Sequence, residues 1–266
     1  MPTQASPAGD PDTAAIRSIS RAISVLQAIN RTGALSLTDI ARQCGLPYPT
    51  ANRIVQALVH EGLIERKGGR KLYSPTGLVQ SLSVGYQGLD TLVAGARPLM
   101  EGLTRDILWP VSFVTRVGTT MVVRDSTHSL TSLTFNNYFP GFTLPILGCA
   151  SGLVYLAFAS DHDRALIIRG LKAAGDVDEQ VLMMFESGYL TDKIRADGFA
   201  VLSRNWHTLN PGKTSSIALP LFRGDELVGA LTLIYFATAM SVADAGRKLL
   251  PELLATVRKI ELAWKR

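Results

Sequence analysis

With 266 residues, 47% of them hydrophobic and 18% charged, the chain has ample material for one large or two smaller cores, which excludes a mostly disordered protein. Two cysteines, Cys44 and Cys149, exclude a disulfide framework and a four-cysteine zinc site. The net charge of +5 is unevenly spread: residues 1–80 carry 9 Lys/Arg against 5 Asp/Glu and residues 81–266 carry 18 against 17, the pattern of a basic module joined to a near-neutral one.

Residues 1–15 are polar and proline-rich and lack an apolar signal core, so they read as a disordered tail of a cytoplasmic protein. Ile16, Ile19, Ile23, Leu26 and Ile29 recur at helical spacing and mark one apolar face that ends near Asn30–Gly33. A short extended piece, Ala34–Leu37, precedes a helix over Thr38–Gln43. Gly45 breaks the chain, and Pro47 and Pro49 lead into a helix over Thr50–His60, stopped by Gly62. Leu63–Arg66 and Lys71–Ser74 form a hairpin through Gly68–Gly69, since a Gly-Gly turn supplies the positive φ angles that tight turns require. These elements make a module over 16–74. Residues 75–90 read as a weakly amphipathic linker helix, and 91–266 as a second domain. In it Thr91–Ile107 is helical, Val111–Val117 and Thr120–Arg124 are strands, and Ser132–Phe135 is a third. Gly148–Ser160 starts a buried helix, and Asp163–Leu171 and Asp178–Asp197 are helical. Ser215–Leu221 and Leu227–Phe236 form a hairpin, and Ser241–Trp264 closes as a long helix. Hairpins with helices between them imply an antiparallel α+β fold. The longest nearly uncharged apolar stretch, Leu227–Met240, is too short to span a bilayer, and no membrane partner is expected.

Leu37–Gln56 has the spacing of a helix-turn-helix: Ala41 small at the helix crossing, Gly45 at the turn, and Ile40, Leu46 and Ile54 as apolar locks. The second helix would present Tyr48, Thr50, Ala51, Asn52 and Arg53 to the major groove. Thr and Asn can bond bases, Arg can take guanine or phosphate, and the Ala methyl can meet a thymine methyl. The hairpin tip adds Arg66, Lys67, Arg70 and Lys71, which suit a wing lying along phosphates of double-stranded DNA, with Arg17, Arg21 and Arg42 as further contacts. Thr38, at the start of the first helix of the pair, completes the expected DNA-binding set.

Three apparent catalytic motifs fail on their spacing. Gly212-Lys213-Thr214 lacks the earlier glycine of a phosphate loop and precedes a strand. Gly148-Cys149-Ala150-Ser151-Gly152 places its serine one position late for a nucleophile elbow. His60, His128, His162 and His207 show no metal-ligand spacing. Cys149 beside a helix start could have a lowered pKa but has no evident partnering base. No enzyme activity, cofactor or metal is expected. The small residues Gly148–Gly152 support two readings, an anion site at a helix N-terminus or close helix–sheet packing.

The segments SISRAISVLQAI and LTDIARQCGLPYPTANRIVQALVHEGLIER resemble the winged helix of IclR-family bacterial transcription regulators. LPILGCASGLVYLAFA and SIALPL resemble that family's effector domain. Within it, Trp109–His128 and the stretch around SIALPLFRGDELVGALTLIYFATAM are most similar to MhpR-type activators of hydroxyphenylpropionate catabolism. The resemblance implies a GAF-like antiparallel sheet flanked by helices behind the winged helix-turn-helix. It also implies an effector carboxylate at Ala150 and Ser151, further pocket positions at Leu133, Ser216 and Thr232, and a loop, Leu202–His207, overhanging the pocket. There Arg204 could pair with a carboxylate and Trp206 could stack on a ring. A small aromatic carboxylate effector, a homodimer or homotetramer, and activation with RNA polymerase as a partner follow from the same likeness. Two departures stand out: Pro49 replaces the family's common serine, removing a hydroxyl cap, and the loop containing Arg204 is about two residues longer than the MhpR-like pattern. The competing hypothesis is a cytoplasmic small-molecule sensor or enzyme domain whose winged helix mediates protein contacts.

Overall fold

A computed structural model describes residues 11–68, 71–83, 90–135, 138–175, 177–208 and 210–265, with side chains from Arg17 onward. The chain divides into two compact units, Met1–Gln87 and Gly88–Arg266. Among the described residues no helix is long and apolar enough to cross a membrane.

The first unit opens with α1 (Pro11–Thr32), which starts five residues before the expected boundary. Proline suits a first helical position, because its fixed φ matches the helix and its missing N–H would have no partner there. The rest of the expected tail, residues 1–10, lies outside the described residues. The buried face of α1 is Val25, Ala28 and Ile29, whereas Ile19 and Ile23 are 63% and 52% exposed, so the expected single apolar face splits into two. There follow β1 (Leu35–Ser36), α2 (Leu37–Gln43), α3 (Tyr48–His60), β2 (Ile64–Lys67) and β3 (Leu72–Pro75). The three strands pair antiparallel in the order β1-β3-β2.

Both glycine stops act as the spacing predicts. After α2, Leu46 N donates to Ala41 O and Gly45 N to Arg42 O, with Gly45 at φ 61°. After α3, Leu63 N donates to Leu58 O and Gly62 N to Val59 O, with Gly62 at φ 71°. These paired bonds are Schellman caps, and they use carbonyls that would otherwise lack partners. The expected linker helix is shorter than predicted: a 3-10 helix spans Gly77–Leu82, and residues 84–89 lie outside the described residues. Gly, Ser and Thr are poor helix formers, and Thr76 ties this turn back through its hydroxyl to Gly62 O at 2.6 Å.

In the second unit α4 (Asp90–Ile107) leads into β4 (Val111–Val117), β5 (Thr120–Ser126), β6 (Thr143–Pro145), α5 (Ala150–Phe158), α6 (Asp161–Ala174), α7 (Glu179–Glu186) and α8 (Tyr189–Asp197). It ends with β7 (Ala200–Leu202), β8 (Thr214–Arg223), β9 (Glu226–Phe236) and α9 (Val242–Ala263). The sheet runs β6-β5-β4-β9-β8-β7 with every neighbouring pair antiparallel. Two expectations are corrected here. Ser132–Phe135 is not a strand. The Thr131 hydroxyl donates to Leu108 O and accepts from Leu133 N, a local turn that competes with strand pairing, and β6 takes the edge instead. The single helix expected over Asp178–Asp197 is broken into α7 and α8 at Gly188, whose φ is 80°.

Side chains alternate across the central strands. Val111, Phe113, Ile217, Leu219, Leu221, Leu231, Leu233 and Tyr235 face α4 and α9. Val114, Ala218, Ala230 and Ile234 face the layer that contains α5. The first set is bulky and the second largely small. The link between β6 and α5 is unusually close: a Cβ on Gly152 would lie 1.9 Å from Ile146 O. Replacing Gly152 with Ala should therefore cost ~2–3 kcal/mol through forced repacking, although Gly→Ala inside a helix ordinarily stabilises. Gly102 in α4 meets nothing within 4 Å of its Cβ position, and Gly102→Ala should gain ~0.5–1 kcal/mol. Denaturant unfolding of both variants checks the opposite signs, and equal effects would contradict the close approach at Gly152.

Candidate functional site

The helix-turn-helix pair is built from local rules. Ser36 caps α2, accepting Asp39 N through its hydroxyl at 3.1 Å and donating to the Asp39 carboxylate at 2.6 Å. The second helix starts at Tyr48, two residues earlier than expected. Pro47 sits at its N-cap without a side-chain cap bond, and Pro49 falls in the first turn, where a missing N–H is harmless.

The helix phase then decides which side chains can reach a ligand. Ala51, Val55 and Leu58 are buried at helical spacing against Val25, Ile29 and Ile40. Ala51 is 0% exposed, which removes the expected contact between its methyl and a thymine. Tyr48 and Arg53 are exposed, Thr50 and Asn52 half-buried, and Thr38 is exposed near the start of α2. Gln56 shares the outer face with Arg53. The sequence reading missed it, although its three-residue spacing from Arg53 was the available signal. Arg17 and Arg21 are exposed on α1. Arg66, Lys67 and Lys71 are exposed around the hairpin, with Arg66 paired to Tyr73 and Lys67 to Leu72 in register. Arg70 lies outside the described residues. Arg42 is held by Asp39 at 2.6 Å.

In the second unit a small hollow of about 20 Å³ lies between the sheet and the start of α5. Ala150, Ser151, Ser216 and Thr232 line it, together with Ser112, Val114, Val123, Tyr138, Leu144, Cys149, Asn205 and Ile234. The start of α5 has no side-chain cap bond, and its first turn is buried. The Thr232 hydroxyl is buried without a hydrogen-bond partner, in a residue 7% exposed. Tyr138 OH lies 2.9 Å from the Thr214 hydroxyl, and burial holds its pKa above the ordinary phenol value.

Three expected effector contacts are not brought to this hollow. Leu133 packs against the core on the α4/α9 side. Arg204 is exposed at φ 50°, with its N–H donating to the Ser215 hydroxyl. Trp206 is 71% exposed, and its ring lies beside Gly212. The loop turns so that its inward residue is Asn205, between those two. Asn205 is pinned by its N–H to Thr214 O at 2.7 Å, by its carbonyl to Gly212 N–H at 2.8 Å, and by Oδ1 to His207 N–H at 2.8 Å. The two readings of Gly148–Gly152 divide by residue. Gly152 serves close packing against Ile146, and Gly148 lies under the His207 ring, 2.5 Å from its Cβ position, while Ala150 and Ser151 line the hollow.

A wider, open cleft between α6 and α8 is lined by Arg164, Arg169, Lys172 and Arg195 along with Asp161, Glu186 and Asp192. Its charges are largely committed. Arg195 donates to Ala157 O and Ala159 O at the end of α5, Arg164 to Ala159 O and Asp161, and Lys172 pairs with Glu186. No group of three His, Cys, Asp or Glu suited to a metal occurs among the described residues.

Residues 18–68 match the family model of the IclR helix-turn-helix domain. The first unit is thus similar to the IclR helix-turn-helix domain over most of its described length. Solved structures share the fold of nearly the whole chain. An IclR-family transcriptional regulator from Brucella abortus is 21% identical, covering 93% of this chain and 92% of its own, with a TM-score of 0.61. The IclR of Thermotoga maritima is 18% identical, covering 92% and 99%, with a TM-score of 0.59. An IclR homologue from Microbacterium hydrocarbonoxydans, solved with 4-hydroxybenzoate, is 18% identical, covering 93% and 99%, with a TM-score of 0.63. At these identities the likeness establishes the fold: a helix-turn-helix unit followed by an antiparallel sheet flanked by helices.

Cys149 carries none of the chemistry that a thiol at a helix start could have. Burial pushes its pKa up to about 11, against the partial relief of bonds from Ser151 and Gly152. The folded state thus holds this proton more tightly than the unfolded chain. The stability it contributes is intact below pH 9.0 and is lost as pH rises toward 11. Iodoacetamide at pH 8 should leave Cys149 unmodified in the folded protein, as read by mass spectrometry. Rapid labelling there would contradict a closed pocket floor.

Proposed function

We propose that the protein is a ligand-responsive transcriptional regulator of the IclR type, reading duplex DNA with its first unit and an aromatic carboxylic acid with its second. The observation that carries this reading is the IclR helix-turn-helix match over residues 18–68, joined in one chain to a unit with a buried hollow. On the DNA side, Thr50, Asn52 and Arg53 read base edges, with Tyr48, Thr38 and Gln56 beside them. Arg66, Lys67, Arg70 and Lys71 follow the phosphates, and Arg17 and Arg21 add to them. On the ligand side, the backbone N–H groups of Ala150 and Ser151 take the carboxylate at the uncapped start of α5. Ser216, Thr232 and Asn205 surround the rest.

One such module covers little DNA, and paired modules on a two-fold site gain both affinity and specificity. The exposed Ile19 and Ile23 on α1 suit contact with a second copy. Effector binding then shifts an equilibrium between arrangements of a dimer or tetramer. The MhpR-like subgroup favours activation of an aromatic-acid catabolic operon with RNA polymerase as a partner.

Gel-shift titration with DNA flanking the gene should show affinity falling steeply with salt. Replacing Arg66 and Lys67 together with Ala should reduce the log–log salt slope by roughly 2, about one per phosphate contact. Failure to shift that DNA at low salt would sink the DNA-binding reading. For the effector, an aromatic acid should raise the melting temperature of the wild type and leave that of Ser151→Trp unmoved. An unchanged response in Ser151→Trp would move the site elsewhere.

A further inference from the structure

The open cleft between α6 and α8 encloses about 590 Å³, and the function proposed above makes no use of it. One wall is a helical stripe of α6 that includes Arg164, Ile168, Arg169 and Lys172. The other is a stripe of α8: Gly188, Thr191, Asp192 and Arg195.

Two of the cations converge. Arg164 Nη1 and Arg195 Nη2 both donate to Ala159 O, at 3.1 and 3.3 Å, and Arg195 Nε donates to Ala157 O at 2.6 Å. Sharing one acceptor sets two guanidinium groups side by side at the C-terminal end of α5. A bond to a carbonyl orients a guanidinium without neutralising it, and each group keeps N–H donors for a further partner. The carboxylate at this pair is Asp161, 2.5 Å from Arg164, and its side chain is 86% exposed, so water screens most of its charge. Among the described residues Arg195 has no carboxylate partner.

The same wall holds a polar group with no partner. Thr191 stands one helical turn before Arg195 and is 4% exposed, and its Oγ1 is buried without a hydrogen bond. A water would satisfy that hydroxyl alone but would leave two like charges together. An anion answers both, accepting from the hydroxyl and neutralising the guanidinium pair.

The other charges of the cleft do not take that place. Lys172 is paired with Glu186 at 2.5 Å. Asp192 turns back over the start of α8, with Oδ2 3.8 Å from the Cβ position of Gly188, and serves the positive end of that helix. Arg169 is exposed, and among the described residues it makes no hydrogen bond or ion pair. The donors thus come from three side chains on two helices. One guanidinium fork suffices for a planar carboxylate, whereas donors converging from separate directions match the tetrahedral oxygens of a phosphate.

We propose that this cleft binds a phosphate group, as the free ion or as the monoester of a small molecule. Arg164 and Arg195 neutralise it, the Thr191 hydroxyl donates to it, and Arg169 stands at the rim. The site lies at the end of α5, the hollow at its start, and neither depends on the other.

The test is calorimetric titration of the full chain with inorganic phosphate and with glycerol 3-phosphate, the ionic strength held constant with chloride. One of the two should saturate a single site with a Kd near or below about 1 mM. The tighter of them tells the free ion from the monoester. Thr191→Val removes a hydroxyl that has no partner, so it should melt no lower than the wild type yet bind phosphate about tenfold more weakly. Arg195→Gln should weaken binding by at least about tenfold, because a charge-assisted bond is lost. Lys259→Gln, on α9 at the other face of the sheet, should bind as the wild type does, and so should Ser151→Trp in the hollow. Absence of saturable binding in the millimolar range overturns the site. A lowered melting temperature in Thr191→Val, with phosphate affinity unchanged, assigns the hydroxyl to the fold and overturns it too. Equal weakening by Lys259→Gln would reduce the effect to general charge, and loss in Ser151→Trp would move phosphate to the start of α5. Acetate competing as well as phosphate overturns the choice of a tetrahedral ion.

Discussion

Everything in the second unit depends on an imbalance of side-chain volume across one sheet. Along β8 and β9 every odd position from Ile217 to Leu221 and from Leu231 to Tyr235 is large, and all are packed against α4 and α9. Of the even positions Ser216, Ala218, Ala230 and Thr232 are small, and Ile234 is the large one among those facing α5. Burial of the large row contributes hydrophobic stabilisation at roughly 25 cal/mol per Å² of apolar surface. The small row cannot fill the space beneath α5, and the hollow is what remains. A sheet with Leu or Ile at every position of both faces would leave no such hollow.

The start of α5 is the complementary half of that arrangement. Gly152 lets Ile146 O approach so closely that no other residue fits, and this holds the first turn of α5 over the hollow. No side chain caps the turn. Natural helices usually satisfy these N–H groups with Ser, Thr, Asp or Asn, as Ser36, Ser160, Asp178 and Ser241 do elsewhere in this chain. The start of α5 is thus buried and uncapped beside a threonine hydroxyl that has no hydrogen-bond partner, unlike the starts of those four helices. In the first unit Schellman caps at Gly45 and Gly62 close the C-terminal ends of α2 and α3.

Much of this was legible because it is local. The glycine stops, the hairpin strands and the alternation of β8 and β9 are each set by residues within a few positions of one another, and each formed within a residue or two of its expected place. Gly69 of the expected turn lies outside the described residues, and Gly68 is not in the left-handed region. The misses share a cause. Ala51 reads as a groove contact until the phase of α3 is fixed by Val55 and Leu58 packing on α1, after which its methyl belongs to the core. Ser132–Phe135 reads as a strand until Thr131 folds back on Leu108. Arg204 and Trp206 read as ligand contacts, but the backbone turn that buries Asn205 between them sends both outward.

The basic character of the first third of the chain, noticed as a count, is confirmed as exposed cations on α1, α3 and the hairpin. The sequence alone determined that module, because helix-turn-helix spacing and turn chemistry are short-range. It also determined that the remainder is antiparallel α+β, because period-two alternation is written along each strand. Only the tertiary structure could bring Ser112, Ser126, Asn205 and Thr232 within reach of one pocket and its hydrogen-bond network. They come from three strands and a loop spread over more than a hundred residues, and register between strands distant in sequence is decided by packing rather than by any local pattern.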